Sequence, residues 1–254
     1  MLRALIEREH VELLPIESAA WNGVYVHMRS GRKRRELART RSPAMSRHET
    51  DELYGVTFSA GLDSGLVLLT GVDPPAVLEP DVYRRLAGDL RSNGVRVIAD
   101  LAGEPLRHAL QGGIDVLKIS DEELVADGFA AGPAVEDLMS ALQTLHESGA
   151  HTILLSRAEE PALVLDGDEG RYLRLTGPRV EALEPRGTGD SMFAALGASL
   201  AGGNDLDLAL RMATAAGCLN ATRHGLGTGT RQEIEQLSRH VGVEVQSGPD
   251  RVRR

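Results

Sequence analysis

A glycine-rich turn that leads into a helix is the part of this sequence best suited to chemistry. Residues 187–190 read Gly-Thr-Gly-Asp, and the small, apolar run at 192–200 predicts a helix. Gly187, Thr188 and Gly189 form the turn; its glycines let the backbone approach a phosphate closely, and the unpaired amides at a helix start favour negative charge. The turn therefore predicts an anion hole for the charge that develops during phosphoryl transfer.

Asp190 closes this turn and is the candidate general base. Phosphoryl transfer needs positioning, electrostatic stabilisation and a group that accepts the proton of the acceptor hydroxyl, and a carboxylate can serve as that group. The alternative is that Asp190 only caps the helix, because aspartate is a favoured capping residue and Gly-x-Gly precedes many helices. The turn by itself does not decide between the two.

Composition narrows the partners to small molecules or proteins. The chain has 254 residues, of which 42% are apolar, and it carries a net charge of −9. Such a chain can bury one sizeable core, and its charge argues against non-specific binding to nucleic acid or to an anionic membrane. A single cysteine allows no internal disulfide, and the sequence shows no signal peptide or membrane-spanning run, so we expect a cytoplasmic protein.

The apolar pattern predicts an α/β fold. Short β-branched runs at 66–70, 95–100, 115–119 and 152–155 read as strands, and amphipathic stretches at 81–92, 104–111, 133–148 and 208–223 read as helices. Parallel strands joined by such helices form a sheet covered on both faces, and ligands bind beyond the carboxyl ends of its strands. Two further segments, 23–38 with a turn at Ser30-Gly31 and 161–175 with a turn at 166–168, predict antiparallel hairpins. The first is a candidate lid.

Residues 184–191 resemble the second signature of the ribokinase-like (phosphofructokinase-B) carbohydrate kinases, in which Gly-Ala-Gly-Asp or Gly-Thr-Gly-Asp opens the helix that bears the base. Residues 94–106 are similar to the strand and turn that 1-phosphofructokinases and tagatose-6-phosphate kinases place before a Lys-Pro-Asn motif, here Lys-Ile-Ser at 118–120. The resemblance implies a single kinase domain over 1–254 with a three-layer αβα fold and a mainly parallel central sheet. It also implies a small β lid within about 11–40 and a nucleotide-binding half over about 115–246.

The resemblance implies ATP and Mg²⁺ as cofactors. In the family, the glutamate of an Asn-x-x-Glu element helps hold magnesium through water, and Glu123 falls on this position while Ser120 replaces the asparagine. Because magnesium keeps waters and accepts few protein ligands, losing the amide is expected to weaken the site without removing it. Ser120 and Glu123 also match a helix capping box, and both roles are compatible.

Two loops are implied to border the nucleotide. One is 156–162, which has Ala158 and Pro161 where the family carries glycines, so that the charge of a neighbouring arginine is expected to compensate for a less close backbone. The other is 222–229, whose glycines equally suit a simple helix stop. The implied nucleotide-binding residues are Lys118, Ser120, Ser156, Arg157, Gly225 and Gly227.

The acceptor side is implied to lie near the lid. Asn22 and the strand at 24–29 resemble the lid strand that touches sugar in the family, and Arg29 belongs to the basic cluster at 29–35, which suits a phosphosugar or is plain solvated surface. Gly71 stands in the family's Ser-Gly-Ser-x-Pro element, where Val72 loses a hydroxyl. Lid strands of this family often pair between subunits, so a homodimer through the lid is expected.

The leading hypothesis is an ATP-dependent kinase of a phosphosugar such as fructose 1-phosphate. Members of the family begin with a further strand, a sugar-binding acidic residue and a Gly-Gly-Lys-Gly-like turn, and the opening at 2–8 instead resembles the helix after that unit. Either the start codon lies downstream of the true one or the protein is shortened. This motivates the alternative of a non-catalytic relative that binds a nucleotide, a sugar phosphate or a partner protein. Within enzymes, a pyridoxal-type or hydroxymethylpyrimidine-type kinase is the alternative.

Overall fold

The computed structural model describes residues 6, 8, 9, 11–19, 23–30, 33–40, 42–73 and 75–248. The strands lie in a hairpin and a central sheet, and their bounds are β1 (Tyr25–Ser30), β2 (Lys33–Arg39), β3 (Leu66–Thr70), β4 (Arg96–Asp100), β5 (Ile114–Ser120), β6 (Ala150–Arg157), β7 (Glu160–Asp166), β8 (Arg171–Thr176) and β9 (Gly242–Gln246). The helices are α1 (Arg47–Ser64), α2 (Asp81–Ser92), α3 (Gly103–Gly112), α4 (Asp121–Ala126), α5 (Val135–Glu147), α6 (Thr188–Ala201), α7 (Leu206–Ala221) and α8 (Arg231–Ser238), with a short 3-10 helix at Pro75–Val77. Within these described ranges, no helix is both long and apolar enough to cross a bilayer.

The central sheet keeps the order of the chain, from β3 at one edge to β9 at the other. Strands β3 to β6 pair in parallel, whereas β7, β8 and β9 each pair antiparallel with the strand before. Strand β8 therefore runs in the same direction as β3 to β6, and the sheet is mainly parallel, as predicted.

Alternation along the strands builds a core on each face of the sheet. Successive side chains of a strand point to opposite faces. In β4, Val97 and Ala99 pack with the helices α2, α3, α4 and α5, while Ile98 packs with α6 and α7. Because both faces are covered, the buried strands are continuously apolar. The result is the three-layer αβα arrangement that the sequence predicts.

Strand register brings polar residues together at the carboxyl ends of the parallel strands. Thr70 pairs with Asp100, and Asp100 pairs with Lys118 on the next strand. Two residues further along, Ser120 pairs with Ser156. These ends form the edge at which the crossover loops and the start of α6 meet.

The elements predicted within the described residues are present, with ends shifted by a few residues. Most of the helix expected at 2–8 lies outside the described residues. The helix predicted over 192–200 begins four residues earlier, because the chain enters it through Gly187. The strand β9 was not predicted. In the lid hairpin, Tyr25 pairs with Arg39 and Ser30 with Lys33, but the turn predicted at Ser30-Gly31 extends into residues 31–32, which lie outside the described residues.

Candidate active site

The anion turn, residues 187–190, opens helix α6. Gly187 adopts φ 72°, in the left-handed region that favours glycine, and its position at the N-cap has no side-chain hydrogen bond. Asp190 lies in the first turn and does not cap the helix, so the alternative that it is simply an N-cap is wrong. Among the described residues, its carboxylate has no hydrogen-bond or ion-pair partner. A carboxylate in this state remains available to accept a proton.

A buried ion pair lies beneath the turn. The Lys118 side chain is almost fully buried, and its Nζ lies 3.0 and 3.1 Å from the two carboxylate oxygens of Asp100 on the neighbouring strand. A Cβ placed on Gly189 would lie 2.7 Å from that Nζ. Glycine at 189 therefore allows the anion turn to lie directly over the ammonium group. Sequence reasoning missed Asp100, although its place as the last residue of a buried parallel strand is a recognisable signal.

The electrostatics join these groups to Glu123. Burial raises the pKa of Asp100, Lys118 opposes this rise, and the nearby charges of Glu123 and Asp190 add to it. Three carboxylates thus share one site with a single ammonium group. The surplus of negative charge is a reason for a cation to bind there.

Ser120 and Glu123 form the predicted capping box at the start of α4. The backbone N–H and the hydroxyl of Ser120 donate to Glu123 Oε2 at 2.9 and 2.6 Å, and Glu123 N–H donates back to Ser120 Oγ at 3.3 Å. The second carboxylate oxygen, Oε1, has no hydrogen bond from the described part of the chain. Among the described residues, no three or more histidine, cysteine, aspartate or glutamate side chains are arranged so that they could hold a metal ion by themselves. These residues fit a magnesium ion held mainly through waters and phosphate oxygens.

The end of β6 carries two of the expected nucleotide residues. Ser156 Oγ donates to Ile119 O at 3.4 Å, and Arg157 Nη1 donates to Pro161 O at 3.4 Å. The Arg157 Nε group is buried and has no acceptor among the described residues. Ala158 adopts φ 42°, in the left-handed region, at a cost in backbone strain.

The loop after α7 packs against the anion turn. Gly225 and Gly227 adopt φ 98° and 62°. The N–H of Gly227 donates to Asn220 Oδ1 at 3.0 Å, and Asn220 Nδ2 donates to the backbone carbonyl of Arg186 at 2.7 Å. Sequence reasoning missed Asn220, although a polar amide in a helix of small apolar residues was a visible signal.

The lid contacts the same region from the other side. Arg186 donates to the hydroxyl of Tyr25, and its guanidinium carbon lies 5.4 Å from the centre of the Tyr25 ring. Arg39 of β2 forms an ion pair with Asp73, two residues after Gly71 in the loop that follows β3. The lid therefore stands between the anion turn and this loop.

The structure gathers most of the predicted site residues at one edge of the sheet. Gly189 lies directly over Lys118, and Gly187, Thr188 and Asp190 belong to the same turn. Ser120 pairs with Ser156 at the end of the strand that carries Lys118, and Glu123 accepts from Ser120. Gly71 lies at the end of β3, is exposed, and a Cβ added to it would meet no other atom within 4 Å. Asn22 lies outside the described residues, as does the side chain of Arg29.

Comparison with known proteins identifies the family. The family model for the pfkB family carbohydrate kinases matches residues 1–233. A 1-phosphofructokinase of Borreliella burgdorferi is 28% identical over 203 residues, covering 80% of this chain and 64% of that protein. A D-tagatose-1-phosphate kinase of Bacillus licheniformis is 30% identical over 155 residues, covering 60% of this chain and 50% of that protein.

The fold is similar to the folds of two solved structures. A crystal structure of phosphofructokinase-2 from Escherichia coli in complex with potassium superimposes with a TM-score of 0.79 at 24% identity, covering 94% of this chain and 77% of that chain. An Arabidopsis thaliana ribokinase complexed with ribose and ATP superimposes with a TM-score of 0.68. The chain spans less than two thirds of the length of either curated relative described above. Since the family model covers nearly all of its sequence, the chain belongs to the pfkB family of carbohydrate kinases.

Proposed function

We propose that this protein transfers the γ-phosphoryl group of ATP to a hydroxyl of a sugar phosphate such as fructose 1-phosphate. The observation that carries the proposal is the Asp190 carboxylate in the first turn of α6, which has no partner among the described residues and follows directly on Gly189, the residue that lies over Lys118. Asp190 takes the proton of the acceptor hydroxyl, the hydroxyl oxygen bonds to phosphorus, and the bond from phosphorus to the bridging oxygen of ADP breaks. The amides of the anion turn stabilise the charge on the transferred group.

Lys118 is proposed to supply positive charge to the transferred phosphoryl group. Its ammonium is the one cation in direct contact with this cluster of carboxylates in the described structure, and it lies beneath Gly189. The pairing with Asp100 holds it in place. A buried ammonium is worth more to a developing negative charge than an exposed one, because the surrounding dielectric constant is low.

The nucleotide is proposed to bind within the half of the chain at about 115–246. Ser120 and Ser156 end neighbouring strands, and the unsatisfied Nε of Arg157 suits a phosphate oxygen. The loop of Gly225 and Gly227 is proposed to border the adenine. Magnesium, held by Glu123 mainly through water, would neutralise phosphate charge when bound.

The acceptor is proposed to bind under the lid, with Asn22, Arg29 and Gly71 on its side. The names of the relatives, a 1-phosphofructokinase and a D-tagatose-1-phosphate kinase, support a phosphorylated ketose for this chain. The basic cluster at 29–35 suits the phosphate of such a substrate. A kinase that consumes ATP is expected to work in the cytoplasm.

A homodimer through the lid is part of the proposal. Val24, Val26 and Met28 alternate along the first lid segment, so they share a face, and each is about half exposed or more. A two-stranded hairpin is at best marginally stable when it is left alone in water. A second copy that covers this apolar face would stabilise it.

The test is a panel of sugar phosphates assayed with the full chain, ATP and magnesium. Magnesium-dependent release of ADP with at least one ketose phosphate, matched by a phosphorylated sugar product, is the expected result. Saturable binding of ADP by calorimetry, with no transfer to any member of the panel, would instead support a binding protein. No transfer and no nucleotide binding would refute both.

A further inference from the structure

Asn220 lies at the end of α7 and uses both ends of its amide to join two loops. The residue is 1% exposed. Its Nδ2 donates to Arg186 O at 2.7 Å and its Oδ1 accepts from Gly227 N–H at 3.0 Å. One bond holds the residue before the anion turn, and the other holds the loop proposed to border the nucleotide.

Further contacts hold the two loops together at the same place. The carbonyl of Ala221, the next residue, accepts the N–H groups of Leu183 and Glu184 at 2.8 and 3.0 Å. The Leu226 side chain lies so close to Gly187 that a Cβ added there would be 2.7 Å from Leu226 Cδ2. The end of α7 therefore anchors the chain that enters the anion turn.

The lid reaches the same residue that Asn220 holds. The backbone carbonyl of Arg186 is bound by Asn220, while its guanidinium group is bound by Tyr25 of the lid. A continuous path of contacts thus runs from the lid through Arg186 and Asn220 to Gly227. It connects the proposed acceptor side with the proposed nucleotide side.

We infer that Asn220 is a positioning residue that holds the anion turn and the nucleotide loop in one arrangement. This inference rests on the proposed function for its catalytic consequence, but its structural content does not depend on turnover. Asparagine suits the position because its side-chain amide offers one donor and one acceptor at the same distance from the helix backbone. Aspartate keeps the acceptor and loses the donor, whereas alanine loses both.

Hydrogen exchange tests the structural content without any ligand. In Asn220→Ala, amide exchange is expected to rise in both 183–191 and 223–229, because each loop loses a buried hydrogen bond. The control is Asn204→Ala, which removes a single bond to Ser199 Oγ at the opposite end of α6 and is expected to leave both loops unchanged. Unchanged exchange in either loop of Asn220→Ala would overturn the inference.

Asn220→Asp is the second variant and covers the case in which the alanine variant does not fold. It is nearly isosteric and keeps an acceptor for Gly227 N–H, but it sets a carboxylate oxygen against the carbonyl of Arg186. Exchange is therefore expected to rise more in 183–191 than in 223–229. The reverse order would contradict the assignment of the two bonds.

Kinetics tests the catalytic consequence. In an active enzyme, Asn220→Ala is expected to raise the KM for ATP and to lower kcat, each by about tenfold, with the pH profile of kcat unchanged. Full activity in Asn220→Ala would overturn the positioning role. If the wild type shows no transfer at all, the proposed function fails. The exchange experiment still supports or overturns the inference that Asn220 holds the two loops together.

Discussion

The carboxyl edge of the central sheet and the lid hairpin are built in opposite ways. Asp100, Lys118 and Asp190 project from strands and a helix that are packed into two cores. The lid has two strands, and its attachments to the rest of the molecule include Arg39 to Asp73 and Tyr25 to Arg186. The residues proposed to carry the chemistry therefore lie on rigid elements, whereas the proposed acceptor side depends on exposed contacts of the lid.

The largest effect is expected from Lys118→Met, which removes the buried ammonium group at the carboxyl edge of the central sheet. Losing the buried ammonium should lower kcat on the order of 10²–10³-fold, because the transferred group loses the positive charge proposed to stabilise it. Lys118→Arg should not restore activity, since the turn at Gly189 lies close against the ammonium group and a guanidinium group is larger and planar. Steady-state kinetics, with circular dichroism to check folding, measures this. A kcat within about twofold of wild type would contradict the role.

Glu123→Gln, at the same edge of the sheet, distinguishes the proposed magnesium-binding role of Glu123 from its role in the capping box. Glutamine can keep the capping box, so the fold should hold, while the magnesium concentration for half-maximal activity should rise about tenfold. The matched control is Glu233→Gln, the same change in the capping box that Thr230 forms at the start of α8. Superimposable magnesium titrations for wild type and Glu123→Gln would remove Glu123 from the metal site.

Tyr25→Phe tests the lid side. Removing the hydroxyl that accepts from Arg186 should raise the KM for the acceptor by about three- to tenfold and the KM for ATP by less. Tyr172→Phe is the control, since the Tyr172 hydroxyl bonds Gln143 on a core helix. A larger change for ATP than for the acceptor would mean that the lid does not serve the acceptor.

The smallest effect is expected at Ala158, whose backbone is strained by its positive φ. Glycine adopts φ 42° without the steric cost that alanine bears, which stabilises the variant, whereas its larger loss of chain entropy on folding partly offsets this gain. The net expected effect of Ala158→Gly is a free energy of unfolding higher by about 0.5 kcal/mol. Ala162→Gly, within β7, should lower it instead. Urea unfolding of both variants measures the pair. A destabilised Ala158→Gly variant would show that the turn carries no strain.

Local features of the sequence predicted the parts of the molecule that local physics decides. The apolar runs at 95–100 and 115–119 predicted buried strands, and Ser120 with Glu123 predicted the capping box that is present. The lid hairpin was predicted from its strand pattern. The strand β9 was not, because its exposed and half-buried residues lack an apolar run and it pairs only at the edge of the sheet.

Partnerships between distant residues could not be predicted in the same way. Asp100 meets Lys118 because of the register between β4 and β5, and Asn220 meets Arg186 because α7 ends beside the anion turn. Neither contact leaves a mark in sequence spacing. The contact of Arg186 with Tyr25 joins residues 161 positions apart, so the direction in which the lid faces also required the structure.

The most direct test of the central claim is single-turnover phosphoryl transfer by Asp190→Asn. The expected rate is lower than the wild-type rate by on the order of 10²–10⁴-fold, with ADP affinity unchanged, because only the proton acceptor is lost. Asp207→Asn, the same substitution in the first turn of α7, should transfer at the wild-type rate. Transfer by Asp190→Asn at the wild-type rate would contradict the assignment of Asp190 as the base.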